Sequence, residues 1–152
     1  MSLLAGFNHA ALVTNDLDRL VEFYTEVFGV EVIFEEASPE LRHAMLKVGE
    51  GAVLHPVELR GHAHATGVPG TFQRGHLDHL GLNVATQGAF LEARRRLIDR
   101  AATDGAISDL GPQWSLWFTD PDGMKAELIW IHDPALQGFH APTPLQLDRL
   151  SL

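Results

Sequence analysis

The sequence contains no cysteine, and this excludes thiolate nucleophiles, thiolate zinc sites and disulfide frameworks together. Positive charge is scarce. Eleven Lys and Arg stand against 20 Asp and Glu, a formal charge of −9, which argues against duplex nucleic acid or an anionic membrane as the main partner because both require basic patches. No apolar run approaches the ~18 residues of a membrane span, and the start, MSLLAGFNHA, lacks the basic region and long apolar stretch of a signal peptide. The sequence therefore reads as cytoplasmic. What remains is a 152-residue chain with 45% hydrophobic residues, ordinary globular composition for a length that can bury about 68–70% of its unfolded surface. Its one excess is nine His in an acidic background, so any chemistry falls to His, carboxylates, hydroxyls or a bound metal.

Along the chain the hydrophobic period switches twice from two to about 3.6 and back. Phe7 to Val13 alternates as a strand. Asn15 or Asp16 can cap a helix whose apolar residues Leu17, Leu20, Val21, Tyr24, Val27 and Phe28 recur at three and four, with Gly29 ending it. Strand-like runs follow at Val30 to Phe34, Leu41 to Val48 and Ala52 to Leu59. The pattern then restarts, with a strand over Leu77 to Val84 and a helix capped by Thr86 bearing Phe90, Leu97, Ile98 and Ala101. Strands at Ala106 to Leu110, Gln113 to Thr119 and Lys125 to Ile131 complete it. Two βαβββ modules are thus expected, over 5–59 and 76–132, with a Gly-, His- and Pro-bearing linker or flap at 60–75 and a C-terminal tail at 133–152 that packs on a surface. Offsets of 70 on the first strands and 72 on the last place His9 on His79 and His55 on Glu127.

Glu127 is the anomalous residue, because a carboxylate on the largely apolar strand Met124 to Trp130 costs several kcal/mol unless paired or coordinated. Pairing with Lys125 or an exposed edge position would explain it alone, and hydrogen bonding near a core would explain His9 and His79 singly. Facing modules would instead gather His9, His79 and Glu127 into a triad of two imidazoles and a carboxylate. That set suits Fe(II) and is usable by Mn(II), Zn(II) or Ni(II).

Asn8-His9, Leu20-Val21-Glu22-Phe23-Tyr24 leading to Phe28-Gly29, Asp78-His79-Leu80-Gly81-Leu82, and Phe118-Thr119-Asp120-Pro121-Asp122-Gly123 before the Glu127 strand together resemble the vicinal oxygen chelate superfamily. This superfamily includes glyoxalase I, extradiol dioxygenases, fosfomycin-resistance enzymes and bleomycin-binding proteins. The resemblance runs from about Phe7 to Ile131. It implies an α+β fold in which two βαβββ modules form a curved mixed sheet around a metal cleft. His9, His79 and Glu127 would be the metal ligands, and a small-molecule substrate would chelate the metal through adjacent oxygens.

His55 falls at the fourth position of the family site, where glyoxalase I usually has a carboxylate, and is either a fourth ligand or a catalytic acid–base group. Trp117 stands near the place where extradiol enzymes carry a Tyr, while the single Tyr, Tyr24, lies on the apolar side of the first helix. Three protein ligands leave room for a bidentate substrate and O₂, which leans the expectation towards an Fe(II) extradiol-like dioxygenase. A glyoxalase-like lyase or isomerase, and a metal-free binding protein of the bleomycin-resistance kind, are the alternatives. A homodimer is expected, since two-module relatives often pair chains.

Overall fold

The computed structural model describes residues 8–59, 77–136 and 138–145. The chain divides into two compact units, Met1–Thr66 and Gly67–Leu152. The linker read at 60–75, with His62 and His64, and also His76, lies outside the described residues.

In the first unit the order is β1 (His9–Thr14), α1 (Leu17–Phe28), β2 (Glu31–Ala37), β3 (Leu41–Gly49) and β4 (Ala52–Leu59). Asp16 takes the extended N-cap conformation and its side chain accepts from the Arg19 N–H, satisfying one of the orphan donors of the first turn. Gly29 closes α1 in the left-handed region at φ 68°, where a Cβ would be strained. Strands β1 and β4 run parallel, β4–β3 and β3–β2 antiparallel, giving the sheet order β1-β4-β3-β2. Leu12, Ala44, Leu46, Leu54 and Pro56 alternate onto one face and bury with Leu17, Leu20, Tyr24 and Val27 of α1. The other face carries His9, His43 and His55.

The second unit repeats the plan with β5 (Leu80–Asn83), α2 (Gln87–Asp99), β6 (Ile107–Asp109), β7 (Gln113–Thr119) and β8 (Lys125–Ile131), then adds β9 (Thr143–Leu145) from the tail. Its sheet order is β5-β8-β7-β6-β9, with β5 and β8 parallel. Thr86 caps α2 by accepting from the Ala89 N–H. Leu116, Phe118, Ala126 and Leu128 bury with Phe90, Ala93 and Leu97 of α2. The helix stops short of the expected Ala101. The Ala102 N–H reaches back to the Leu97 carbonyl and the Ala101 N–H to that of Ile98, a Schellman ending that puts Ala101 at φ 53°, a position usually given to Gly. Ile98, expected on the apolar side, is 39% exposed.

Two βαβββ modules with mixed sheets are therefore present, but the expectation of a curved sheet is corrected: each unit has its own open sheet, neither closed nor strongly curled. The reason is strand number and length. Successive strands rotate by roughly 20–25°, so four or five accumulate too little turn to close, and β5, β6 and β9 are too short to coil along their own length. No helix among the described residues is long and apolar enough to cross a membrane.

Candidate functional site

In the second unit the register places Glu127 between Trp117 of β7 and Gly81 of β5, on the face turned away from α2. The turn before β8 sets this aim. Asp120, buried, accepts through Oδ1 from the N–H groups of Asp122 and Met124, while Gly123 adopts φ 87°. Gly81 offers no side chain opposite Glu127, and the carboxylate extends to the next residue on that face, His79. Glu127 Oε2 lies 3.6 Å from His79 Nε2, and Ser115 donates a hydrogen bond to Glu127 Oε1. Ser115 is 2% exposed, so the hydroxyl and carboxylate meet out of bulk water. Lys125 does not compensate Glu127 here; its Nζ donates to Thr119 Oγ1 at 2.7 Å.

His79 is oriented from its other side. Its Nδ1 donates to Asp78 Oδ2 at 2.7 Å, since a carboxylate can only accept, which leaves Nε2 as the ring nitrogen turned to Glu127 and open to a metal. Two donors bound at about 2.0–2.2 Å to one tetrahedral ion stand about 3.4 Å apart, so the 3.6 Å separation fits a shared metal closely. Carboxylate–imidazole pairs of the Asp78–His79 kind fix the tautomer of metal ligands. Trp117, 37% exposed, meets the His79 ring edge-on at 4.6 Å between centroids and forms an apolar wall beside this pair.

The first unit carries the counterpart. His9 Nδ1 donates to Asn8 Oδ1 at 2.8 Å, which likewise leaves Nε2 as its lone-pair nitrogen. Its ring stands edge-on to His55 at 5.4 Å. His55 Nε2 lies 2.9 Å from His43 Nδ1, and His43 Nε2 lies 3.4 Å from Glu36 Oε2. Burial, then the neighbouring charges His43 and His9 would carry, push the His55 pKa below its ordinary 6.5 and favour the neutral ring.

The two units share a register. Ala11 pairs with His55 and Gly81 with Glu127, so Gly81 stands 70 positions after Ala11 and Glu127 72 after His55. His43 opposite Val57 likewise matches Ser115 opposite Ile129. The His43–His55 contact and the Ser115–Glu127 hydrogen bond are therefore the same cross-strand contact built twice.

Within the units the structure brings His79 to Glu127 and His9 to His55. Among the described residues no group of three or more His, Cys, Asp or Glu side chains could hold a metal ion. Sequence reasoning missed His43 and the roles of Ser115 and Asp78; applying the 72-residue offset to β3 would have paired His43 with Ser115. His132 lies edge-on to Trp114 and tilted against Trp130, and His140 Nδ1 donates to the Ala141 carbonyl.

A family model described as the Glyoxalase/Bleomycin resistance protein/Dioxygenase superfamily matches residues 6–128. A 2-epi-5-epi-valiolone epimerase from Actinomyces sp. is 30% identical over 92% of this chain and 86% of its own length. A lactoylglutathione lyase from Salmonella typhimurium is 27% identical over 82% of this chain and 92% of its own. The crystal structure of a glyoxylase/bleomycin resistance protein/dioxygenase domain from Frankia sp. EAN1pec covers 85% of this chain and 99% of its own, with TM-score 0.70 and 23% identity, a likeness of fold. The chain belongs to the glyoxalase/bleomycin-resistance/dioxygenase superfamily, which spans metal-dependent enzymes and metal-free binding proteins.

Proposed function

We propose that the protein is a metal-dependent isomerase or lyase that moves a proton on a small molecule bearing adjacent oxygens, with His9, His79 and Glu127 as ligands of one divalent ion and His55 as the acid–base group. The observation that carries this is the His79–Glu127 pair, its Nε2 and Oε2 3.6 Å apart with Asp78 fixing the ring behind. When bound, the ion would act as a Lewis acid on the substrate's oxygens. Zn(II), Ni(II) or Mn(II) suits this role as well as Fe(II). Ser115 holds the Glu127 carboxylate in place, Trp117 supplies an apolar wall that excludes water, and His55 exchanges a proton with substrate as a neutral imidazole.

This reading replaces the lean towards an extradiol-like dioxygenase. Support comes from the names of the relatives, an epimerase and a lyase, and from the lack of a Tyr beside Trp117. The absence of a three-member cluster among the described residues favours, as second reading, a metal-free binder that uses the Trp117 wall.

Purified protein with Zn(II), Ni(II) or Mn(II), incubated with hydroxyketones and hemithioacetals in D₂O, separates them. Metal-dependent incorporation of deuterium, lost in His55→Ala while metal content is retained, is the expected result. No metal binding and no exchange, with saturable binding of an apolar aromatic ligand, would overturn the proposal in favour of the binder.

A further inference from the structure

We infer that Glu36 and His43 hold His55 as an Nε2–H donor, so that Nδ1 is its single lone-pair nitrogen and the atom with which it meets substrate; this rests on the acid–base role proposed for His55. Glu36 Oε2 can only accept, so the His43 nitrogen 3.4 Å away, Nε2, carries the hydrogen. Neutral His43 then has its lone pair on Nδ1. That lone pair lies 2.9 Å from His55 Nε2, where two lone pairs or two hydrogens could not face each other, so His55 Nε2 is the donor. Phe34, packed on the His43 ring at 5.4 Å between centroids, and the His43 ring itself, 5.1 Å from that of His55, limit rotation along the chain.

The arrangement is opposite to that of His9 and His79. Both of those rings give their Nδ1 hydrogens to the side chain one residue before, Asn8 or Asp78, and keep the Nε2 lone pair. His55 occupies the strand position equivalent to Glu127, yet its Nε2 is spent on a protein hydrogen bond. Its Nε2 is therefore not open to a metal, unlike that of His9 or His79. His43 is a positioning residue, acting through His55, and Glu36 sets its tautomer. The face of the first sheet that carries three His is in this way divided between one metal ligand and one oriented acid–base pair.

The test is ring-nitrogen NMR of the full chain labelled with ¹⁵N-His, stripped of metal by chelator, at a pH of about 8.5, about two units above the ordinary imidazole value. Expected are Nε2–H forms for His43 and His55, a coupling across the bond from His55 Nε2 to His43 Nδ1, and an Nδ1–H form for His79. Adding Zn(II) should shift His79 Nε2 and leave the His55 Nε2 hydrogen in place. The coupling should vanish in His43→Ala. In Glu36→Lys, at an exposed position, a side chain that can only donate should invert both rings to Nδ1–H. An Nδ1–H form of wild-type His43, a lone pair on His55 Nε2, zinc displacing the His55 Nε2 hydrogen, or unchanged tautomers in Glu36→Lys would overturn the inference. With a turned-over substrate in hand, His43→Ala should lower kcat about tenfold to hundredfold, in the range of lost orienting hydrogen bonds, with KM nearly unchanged. Absence of turnover on every substrate counts against the isomerase reading alone, because the tautomers are read on the metal-free protein.

Discussion

Replacing Asp78 by Asn changes one atom in the proposed metal site and tests the tautomer argument directly. The native carboxylate accepts from His79 Nδ1 at 2.7 Å, a charge-assisted hydrogen bond. An Asn side chain keeps the shape but can also donate, which lets the ring carry its hydrogen on Nε2, facing Glu127 Oε2. A metal must then displace that hydrogen. Orienting partners of metal-bound His are worth about 10–100-fold in affinity, or about 1.4–2.7 kcal/mol, and the tautomer change places Asp78→Asn towards the upper end.

Because metal binds only the folded state, the stabilisation it confers should fall by the same amount, a thermal shift about 3–10 °C smaller for a chain of this size at saturating metal. Competition against a chromogenic chelator gives the affinity, and calorimetry with and without metal gives the shift. The converse substitution, Asn8→Asp, should tighten binding, since it supplies His9 with the stronger acceptor that His79 already has. An Asp78→Asn affinity within about twofold of wild type, in a protein that folds normally, would refute the reasoning.

Ser115→Ala should weaken metal binding by removing the hydroxyl that orients Glu127, whereas Lys125→Ala, whose ammonium serves Thr119, should leave affinity unchanged in the same titration. Ala101→Gly should raise stability by about 1 kcal/mol in urea unfolding, because it relieves a left-handed Cβ at φ 53°. Phe90→Ala, at a position with no exposed surface, should lose about 3–5 kcal/mol by the same measure. His55 has a folded pKa below its unfolded value, so between the two the unfolded chain binds more protons. Its contribution to stability is complete above about 6.5 and declines as pH falls towards the lower folded value; His55→Gln should flatten that part of a plot of urea midpoint against pH.

The parts of the fold legible in the sequence were those with strong local signals. Helix α1 begins and ends on Asp16 and Gly29 because capping oxygen and left-handed glycine act within a turn. Strands β4, β7 and β8 span the same residues as the strand-like runs read from the sequence. The end of α2 was misread because Ala101 looks like one more apolar helical position, and only the long-range fit shows it turning back to Leu97 and Ile98. Curvature was misjudged because it depends on strand number and length summed over a sheet rather than on any one segment. His9, His79, Glu127 and His55 stood out as polar groups on apolar strands, and the repeat offset aligned them. His43 is legible only when the same 72-residue offset is extended to β3, because its significance lies in a diagonal contact with His55 across β3 and β4 while Val57 stands opposite it.

Strand β9 has a consequence for solubility. It lies along the outer side of β6, with Leu145 opposite Ile107 and Pro144 opposite Ser108. A proline has no N–H to offer a further strand, so the sheet ends at a residue that cannot template edge-to-edge growth. On the first sheet the corresponding guard is charge: β2, exposed along its whole length and carrying Val32, Ile33 and Phe34, is interrupted by Glu31, Glu35 and Glu36. The segment without a catalytic motif therefore acts as a terminator. Removing residues 143–145 would strip the cover from Ile107, 4% exposed, and present an open hydrogen-bonding row on which a second molecule could add.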